Sequence, residues 1–202
     1  MQDILPNIRH IWYNRGVKIL VAGTTGGIGG AVAEAARAAG HMVICWNRAD
    51  FESGEELPAG PYDAFVFATG TCPVSPVSAL SDDAFMETVR VNCLLFVRLV
   101  REIAKRRLNS EEGMRIVAVS SVSAREGWPG GVAYCASKGA LSAACRALDA
   151  ELSPRGMSVM AVEPRYVKTR MFDNCAGRMG VPASEATDPR DFAEEILKGL
   201  KK

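Results

Sequence analysis

Short apolar runs alternate along the chain with longer segments rich in helix-forming residues. Each apolar run has five or six residues and ends at a glycine or a polar residue, which is typical of buried parallel strands. This alternation predicts an α/β protein with a sheet covered on both faces. The predicted strands are Val17–Ala22, Met42–Trp46, Ala64–Thr69, Arg115–Ser120 and Met157–Val162.

Four segments between and after these runs are predicted to be helices: Ile28–Ala39, Ser81–Leu108, Val132–Leu152 and Pro189–Leu200. Gly40 provides a stop for the first, and Ser81 caps the second, with Asp82 and Asp83 in its first turn. Residues from Met171 to Asp188 are predicted to be a loop. The chain is therefore expected to form one domain, residues 1–202, built as a doubly wound parallel sheet with α/β/α layers.

Composition supports one sizeable core: the 202 residues are 48% apolar. The net charge of +1 produces no field that would attract nucleic acid or an anionic membrane. No apolar run approaches the length of a membrane span, and the start of the chain, with Gln2 and Asp3, lacks an export signal. We expect a cytoplasmic protein without nucleic-acid or membrane partners.

The cysteines show no metal-binding pattern, because no two form a CxxC pair and only His10 and His41 add imidazoles. Several lie in apolar runs, where a reduced cysteine packs as a small hydrophobe. Reduced thiols and no bound metal are expected for Cys45, Cys72, Cys93, Cys135, Cys145 and Cys175.

A glycine-rich turn, residues 23–29 (GTTGGIG), connects the first predicted strand to the first helix. Glycines permit a tight turn and a close approach of the backbone to a pyrophosphate, which the helix N-terminus then attracts. Such a turn also serves helix packing alone, but the strand–turn–helix context favours dinucleotide binding.

Tyr134 and Lys138 are four residues apart in a predicted helix and thus lie on one face. A cation beside a phenol predicts a Tyr134 pKa below its ordinary value of about 10, so that the phenol can act as an acid or base. Ser121, after Ser120 at the end of a predicted strand, lies at the sheet edge where such folds bind ligands.

Together these residues resemble the short-chain dehydrogenase/reductase family, over nearly the whole chain and in the expected order. The resemblance implies a Rossmann-like fold and an NAD(P)-dependent oxidoreductase acting on CH–OH and C=O groups. The matching positions are Gly23, Gly27 and Gly29 in the turn, with Asn92, Ser121, Tyr134 and Lys138 as the family's catalytic set.

By that resemblance, Tyr134 donates a proton to a carbonyl oxygen while a nicotinamide delivers hydride to the carbon. Lys138 lowers the tyrosine pKa and holds the nicotinamide ribose. Ser121 orients the carbonyl, and Asn92 helps to keep a water relay in place. Orientation and proton supply are the protein's share, and hydride chemistry is the cofactor's.

The end of the second predicted strand bears on cofactor choice. An acidic residue there would bind a ribose 2′-hydroxyl, whereas Arg48 offers a donor fork suited to a 2′-phosphate. The prediction is NADP(H), with NAD(H) as an alternative. The predicted cofactor-binding residues are Gly23, Thr25, Gly27, Ile28, Gly29, Asn47, Arg48, Asp50, Thr69, Gly70, Tyr134, Lys138, Pro164, Val167 and Thr169.

The chain departs from the family pattern at several places. The segment from Arg48 to Tyr62 is too short for the usual helix, strand and helix, and Asp50-Phe51 stands in for the pair that flanks adenine. The family's Asn-Asn-Ala-Gly is Phe67-Ala68-Thr69-Gly70 here, and Arg165 replaces a glycine after Pro164. The usual last strand is missing before Lys202, so we expect a homodimer formed by the two long helices rather than a full tetramer.

Three functions are considered. The first is an NADP(H)-dependent ketone or alcohol oxidoreductase, similar to the 3-oxoacyl-thioester reductases. The second is a nucleotide-binding regulatory or scaffold protein with little turnover. The third, a sugar-nucleotide epimerase or dehydratase, fits less well because those relatives are longer and space their glycines differently. Ser121, Tyr134 and Lys138 favour the first, and a small carbonyl or alcohol compound is the expected substrate.

Overall fold

Five parallel strands form one sheet in the computed structural model, which describes residues 16–107, 113–179 and 181–200. Helices cover both faces, so the predicted doubly wound α/β architecture is confirmed. The strands are β1 (Lys18–Ala22), β2 (Met42–Trp46), β3 (Ala64–Phe67), β4 (Met114–Val119) and β5 (Met157–Val162).

The strand order is β2-β1-β3-β4-β5, with the change of direction beside β1. Leu20 of β1 lies between Ile44 and Phe65, and Ile116 of β4 lies between Phe65 and Val159. All pairs are parallel, so the carboxyl ends of the strands meet at one edge. In open α/β sheets this edge, next to the point where the strand order reverses, is where ligands bind.

Seven α-helices accompany the sheet within the described residues. The helices α3 and α4 are joined by a π-helical turn at Arg90–Leu94, so that one continuous helix runs from Asp82 to Arg106. The helices are α1 (Gly27–Ala38), α2 (Arg48–Glu52), α3 (Asp82–Val89), α4 (Leu95–Arg106), α5 (Val132–Leu152), α6 (Arg170–Met179) and α7 (Pro189–Leu200).

Two apolar cores lie on opposite faces of the sheet. On one face, Phe96 of α4 packs against Phe65 and Phe67, with ring centroids 6.3 and 5.3 Å apart, and Leu141 of α5 joins this core. On the other face, α1 and α7 contribute a second core that includes Phe192. Burial on both faces explains why the strand sequences are almost continuously apolar.

Most predicted elements are confirmed within a few residues, and α5, α7, β2 and β5 match their predicted bounds. Ser81 caps α3 as predicted, accepting a hydrogen bond from the amide of Ala84 (3.2 Å). The end of the predicted second helix at Leu108 lies outside the described residues, as do Gln2, Asp3 and His10.

The predicted loop from Met171 to Asp188 is wrong, because α6 occupies its first part and a 3₁₀ turn, Ala183–Glu185, follows. The segment contains Asn174 and Gly177, which have weak helix propensity. Thr169 supplies the missing start signal: its hydroxyl accepts a hydrogen bond from the amide of Phe172 (3.2 Å). Phe172 and Cys175 are buried, so tertiary packing stabilises this helix.

The segment between β2 and β3 contains only the short helix α2 and a loop, as its length predicts. The outer strands of the sheet are therefore β2 and β5, which expose Met42 (62%) and Met160 (44%). Among the described residues, no helix has the length and apolar character that crossing a bilayer requires.

Candidate active site

The glycine-rich turn packs tightly between β1, α1 and the end of β3. Gly23 has φ +93°, and a Cβ there would lie 2.7 Å from the amide nitrogen of Thr69. A Cβ on Gly29 would lie 2.2 Å from the carbonyl oxygen of Gly23, so α1 could not approach the turn with any side chain at this position. Gly27 is the first residue of α1. The amino end of this helix therefore follows directly after the carboxyl end of β1.

Asn47 connects the end of β2 to this turn. Its side-chain oxygen Oδ1 accepts hydrogen bonds from the Thr24 hydroxyl (3.0 Å) and the Thr25 amide (3.3 Å). The Asp50 carboxylate accepts from the Asn47 amide (2.5 Å) and thereby caps α2. Asn47, Thr25 and Asp50 therefore share one hydrogen-bonded corner beside the turn.

Arg48 belongs to a charged cluster with two carboxylates. Its Nε lies 2.5 Å from Glu52 Oε1, and one terminal nitrogen lies 3.0 Å from Glu87 Oε1. Arg90 binds Glu87 through two nitrogens, at 2.6 and 2.8 Å. The Arg48 side chain remains 46% exposed, so a phosphate placed here would compete with these carboxylates.

A cleft of about 120 Å³ opens at the carboxyl ends of β3, β4 and β5. It brings together many of the residues that the sequence analysis predicts for the site: Ile28, Thr69, Gly70, Ser121, Tyr134, Lys138, Pro164, Val167 and Thr169. The predicted residues Gly23, Thr25, Asn47, Arg48 and Asp50 lie outside this cleft, around the glycine turn and the end of β2.

The two serines at the end of β4 have different surroundings. Ser120 donates to the carbonyl oxygen of Lys138 (3.2 Å) and lies 2.8 Å from the Ser142 hydroxyl, so it holds β4 against α5. Ser121 faces the cleft and forms a side-chain hydrogen bond with Tyr134. This difference supports Ser121 as the serine of the site.

Lys138 is buried behind Tyr134, with 4% of its surface exposed. Its Nζ donates to the carbonyl oxygen of Val119 (2.8 Å) and lies 5.7 Å from the centre of the Tyr134 ring. Burial lowers the pKa of Lys138 to about 8, because the ammonium loses its hydration.

The surroundings of Tyr134 shift its pKa upward, opposite to the direction predicted from Lys138. Burial of the phenol is the largest cause, the thiols of Cys72 and Cys175 add to it, and the hydrogen bond with Ser121 opposes it. The predicted lowering is wrong because sequence spacing shows the neighbouring cation but not the loss of solvent. Tyr134 therefore carries its proton at neutral pH.

Asn92 lies behind the cleft, fully buried in the π-helical turn. Its Oδ1 accepts from the Thr71 amide (2.7 Å), and its Nδ2 donates to the Thr71 carbonyl and to Ser137 Oγ, both at 2.9 Å. Asn92 thus holds the loop after β3 against α5. A Cβ on Gly70 in this loop would lie 3.7 Å from Lys138 Nζ.

The buried hydroxyl of Thr69 indicates whether a ligand fits this edge of the sheet. Its hydroxyl is buried at the cleft wall and has no hydrogen-bond partner among the described residues. A buried hydroxyl without a partner is costly unless a ligand or water satisfies it. This feature and the side-chain-free glycine turn fit a bound dinucleotide.

Arg165, at the position where the family resemblance predicts a glycine, lines the cleft. One terminal nitrogen binds Glu126 Oε1 at 3.0 Å, and the guanidinium lies 6.0 Å from the Tyr166 ring. Trp128 donates from Nε1 to Ser123 Oγ (3.2 Å), and its ring lies 6.4 Å from that of Tyr134. These residues form the mouth of the cleft.

Several cleft residues carry no recognisable motif and were not predicted from the sequence. They come from segments distant along the chain, and only the Trp128-Pro129-Gly130 turn gives a local signal, of a loop. They are Cys72, Ser123, Trp128, Tyr166, Phe172 and Cys175. The described residues contain no group of three or more His, Cys, Asp or Glu side chains that could hold a metal ion.

A doubly wound sheet, a glycine turn before a helix, and a Ser–Tyr–Lys cleft at the carboxyl edge define an oxidoreductase of the dinucleotide-binding class. The family model described as short chain dehydrogenase matches residues 55–179, more than half of the chain. The chain belongs to this family.

Curated relatives agree with this assignment. The chain is 29% identical over 179 residues to the 3-oxoacyl-acyl-carrier-protein reductase FabG of Rickettsia conorii, covering 76% of this chain and 74% of the relative. It is 27% identical over 180 residues to L-xylulose reductase of Bos taurus, covering 77% and 74%.

Solved structures share the fold. A 4-hydroxyisoleucine dehydrogenase complexed with NADH aligns with a TM-score of 0.77 at 23% identity, covering 90% of each chain. An actinorhodin polyketide ketoreductase variant with NADPH aligns with a TM-score of 0.71 at 20% identity, covering 92% of this chain and 90% of the other.

Proposed function

We propose that the protein interconverts a ketone and a secondary alcohol with NADP(H), using Tyr134 as the acid or base. The observation that carries this proposal is the convergence of Ser121, Tyr134 and Lys138 in one cleft, beside the unsatisfied hydroxyl of Thr69. A scaffold without turnover would not require a buried lysine behind a protonated phenol. We therefore favour the enzyme over the regulatory alternative.

Each residue has a distinct role in the proposed mechanism. Tyr134 holds a proton on its hydroxyl at neutral pH, because burial raises its pKa, and it gives this proton to the substrate oxygen during reduction. Ser121, hydrogen-bonded to Tyr134, orients the same oxygen. Lys138 lies next to Gly70, and we propose that it binds the cofactor ribose. The bound nicotinamide supplies the hydride chemistry.

Asn92 acts as a positioning residue in this mechanism. Its side chain uses three hydrogen bonds to keep Thr71 and Ser137 in place, and it thereby sets the distance between the loop after β3 and the helix that carries Tyr134. We also propose that Asn92 helps to keep a water relay in place, as the family resemblance implies.

The glycine turn, Thr25, Ile28 and the corner at Asn47 and Asp50 are proposed to hold the adenosine half of the cofactor. Thr69, Gly70, Pro164, Val167 and Thr169 are proposed to hold the nicotinamide half, since they line the cleft beside Tyr134. We favour NADP(H) because Arg48 is exposed at the end of β2. The Arg48 guanidinium is already paired with Glu52 and Glu87. Because of this pairing, NAD(H), which has no 2′-phosphate, remains the alternative cofactor.

A small carbonyl compound is the proposed substrate. Trp128, Tyr166 and Phe172 give the cleft an apolar wall, and Arg165 supplies a charge at its mouth. Similarity to the Rickettsia 3-oxoacyl-acyl-carrier-protein reductase supports a 3-oxoacyl thioester. We propose that residues 1–202 act as one domain.

We further propose a cytoplasmic homodimer that forms through the long helices α3–α4 and α5. Exposed apolar side chains on these helices support this arrangement: Met86 (61%), Leu94 (40%) and Val132 (45%). Apolar surface of this kind is typical of contact surfaces between subunits.

Replacing Tyr134 with Phe tests the mechanism. We expect turnover to fall by ~10²–10⁴-fold, since the proton donor is removed and the ring stays. NADPH affinity, measured by fluorescence titration, should change little. Turnover is measured as loss of NADPH absorbance with 3-oxoacyl thioesters, quinones, steroids and sugar ketones.

The matched control is Tyr62→Phe, which removes a phenol hydroxyl that donates to the Pro58 carbonyl far from the cleft. That variant should keep its turnover. If Tyr134→Phe retained turnover near that of the wild type, the proposed mechanism would be wrong.

A further inference from the structure

Two cysteines meet at the wall of the cleft although they are 103 residues apart in the sequence. Cys72 lies in the loop after β3, and Cys175 lies in α6. The Sγ atoms are 3.4 Å apart, and Cys175 Sγ also lies 3.8 Å from the Cys72 carbonyl oxygen. Both side chains line the cleft beside Tyr134. The loop and α6 therefore touch through two thiols.

The proposed reaction uses neither thiol, so this contact is not explained by catalysis. Two sulfurs in van der Waals contact can form a bond through side-chain rotation and a small movement of the flanking backbone. Cys72 is partly exposed in the cleft, whereas Cys175 is buried. A small oxidant that enters the cleft reaches Cys72 first, with Cys175 directly behind it.

We propose that Cys72 and Cys175 form a redox-active dithiol that a peroxide converts to a disulfide, joining α6 to the loop after β3 across the cleft wall. Cys72 sulfur attacks one peroxide oxygen. An S–O bond forms, the O–O bond breaks, and the departing hydroxide takes the Cys72 proton to give water. Cys72 is then a sulfenic acid.

Cys175 sulfur next attacks Cys72 Sγ. The S–S bond forms, the S–O bond breaks, and the departing hydroxide takes the Cys175 proton to give a second water. The thiol pair loses two electrons and hydrogen peroxide is reduced to two waters. A dithiol reductant reverses the change by thiol–disulfide exchange.

The first step is slow, because burial and the neighbouring Cys175 raise the pKa of Cys72 and keep it protonated, while Lys138 partly opposes this shift. Exposed Cys45 is the thiol more open to the reagent, and its Sγ accepts a hydrogen bond from Arg37 (3.0 Å). Among the described residues, the sulfur–sulfur contact found is that of Cys72 with Cys175. The disulfide is therefore a property of the pair and not of the more accessible thiol.

The consequence for activity rests on the proposed function. Met171, Phe172 and Cys175 bring α6 to the cleft, and the loop with Gly70 forms the facing wall. A covalent bond between these walls prevents them from separating to admit a substrate. The glycines of the turn and Asn47, proposed to hold the adenosine half of the cofactor, do not line the cleft. Oxidation should thus abolish turnover while NADPH binding persists.

The test begins with mass spectrometry of the full-length protein after hydrogen peroxide treatment and thiol blocking. Trypsin releases residues 49–90 and 171–178 as peptides with one cysteine each, Cys72 and Cys175. We expect an intact monomer that carries two fewer blocking groups than the untreated, blocked protein, and these two peptides linked. Dithiothreitol should separate them.

The linked peptides should appear in the wild type and in Cys45→Ser, and should be absent in Cys72→Ser and Cys175→Ser. Sulfinic acid at Cys72 without the linked peptides, or a link that appears only between two chains, would overturn the proposal. This readout requires no turnover, so it is independent of the proposed function.

The activity arm compares wild type with Cys45→Ser before and after peroxide. After peroxide, both proteins should lose turnover with the ketone that the turnover screen identifies as a substrate, and both should regain it with dithiothreitol. The NADPH affinity measured by fluorescence titration should stay unchanged. If the linked protein turns over at the rate of the reduced protein, the disulfide does not control the cleft and that part of the proposal is wrong.

Discussion

Tyr134 and Lys138 have pKa values shifted in opposite directions, and both shifts favour the uncharged form. Loss of solvent is the largest cause for each group, so the two residues share one environment. The phenol therefore keeps its proton at neutral pH, as the proposed reduction requires. The lysine changes charge near pH 8.

Arg48 allows a test of cofactor preference. In Arg48→Asp, the NADPH affinity should fall, and the NADH affinity should stay the same or increase, because donors are lost and a carboxylate repels a 2′-phosphate. Fluorescence titration with both cofactors measures the ratio. Arg101→Asp, an exposed charge reversal on α4, controls for net charge. If the ratio of the NADPH and NADH affinities did not change, Arg48 would only pair with Glu52 and Glu87 at the surface and would not contact the cofactor.

Arg165 allows a test of the substrate class. In Arg165→Gly, an anionic ketone should lose kcat/KM relative to its neutral ester, because a guanidinium forms charge-assisted bonds with carboxylate or phosphate. The arginine lines the cleft, and its guanidinium pairs with Glu126 at 3.0 Å. If Arg165→Gly raised kcat/KM equally for the anionic ketone and the neutral ester, the arginine would only be crowding the site.

At the scale of elements, the π-helical turn between α3 and α4 determines where Asn92 lies. Asn92 lies within this wider turn, and its amide is hydrogen-bonded to Thr71 and Ser137. Such turns occur often at functional sites. The apolar pattern predicts the helix but contains no sign of the turn.

Asn92→Ala removes three hydrogen bonds and leaves the Thr71 amide without its acceptor. We expect the free energy of unfolding to fall by about 1–3 kcal/mol, measured by urea titration, and kcat to fall more than NADPH affinity. The exposed Asn174→Ala should change stability by less than about 0.5 kcal/mol. Equal stability of Asn92→Ala and wild type would remove Asn92 from its positioning role.

At the scale of the whole molecule, burial of Lys138 makes stability depend on pH. Its pKa is about 8 in the folded protein and about 10.4 in the unfolded chain. Between these values the unfolded chain holds the proton and the folded protein does not, so this contribution to stability rises with pH. Below pH 8 both states are charged and the full penalty of burying the ammonium applies.

Comparison with Lys138→Met isolates this effect. From about pH 7 to about pH 10.4, the wild type should gain on the order of 3 kcal/mol of stability relative to the variant. Urea titrations of both proteins across this range measure the difference. If the difference in the free energy of unfolding between the two proteins did not change with pH, the desolvation of Lys138 that the structure indicates would be wrong.

The amino-acid sequence by itself determined the class of fold and the bounds of several elements. Strands that are apolar on both faces and helices with strong formers, such as α5, are specified by local pattern. The motif residues Ser121 and Tyr134 were recognisable for the same reason, since they are spaced within one strand–helix unit.

Only the tertiary structure decided the rest, because burial and contacts between distant segments are not encoded in local spacing. Helix α6 forms where its sequence predicts a loop, since packing of Phe172 and Cys175 outweighs weak propensity. The pKa of Tyr134 rises because the fold removes water from the phenol. The contact of Cys72 with Cys175 exists only because the sheet brings the loop after β3 and α6 to the same edge.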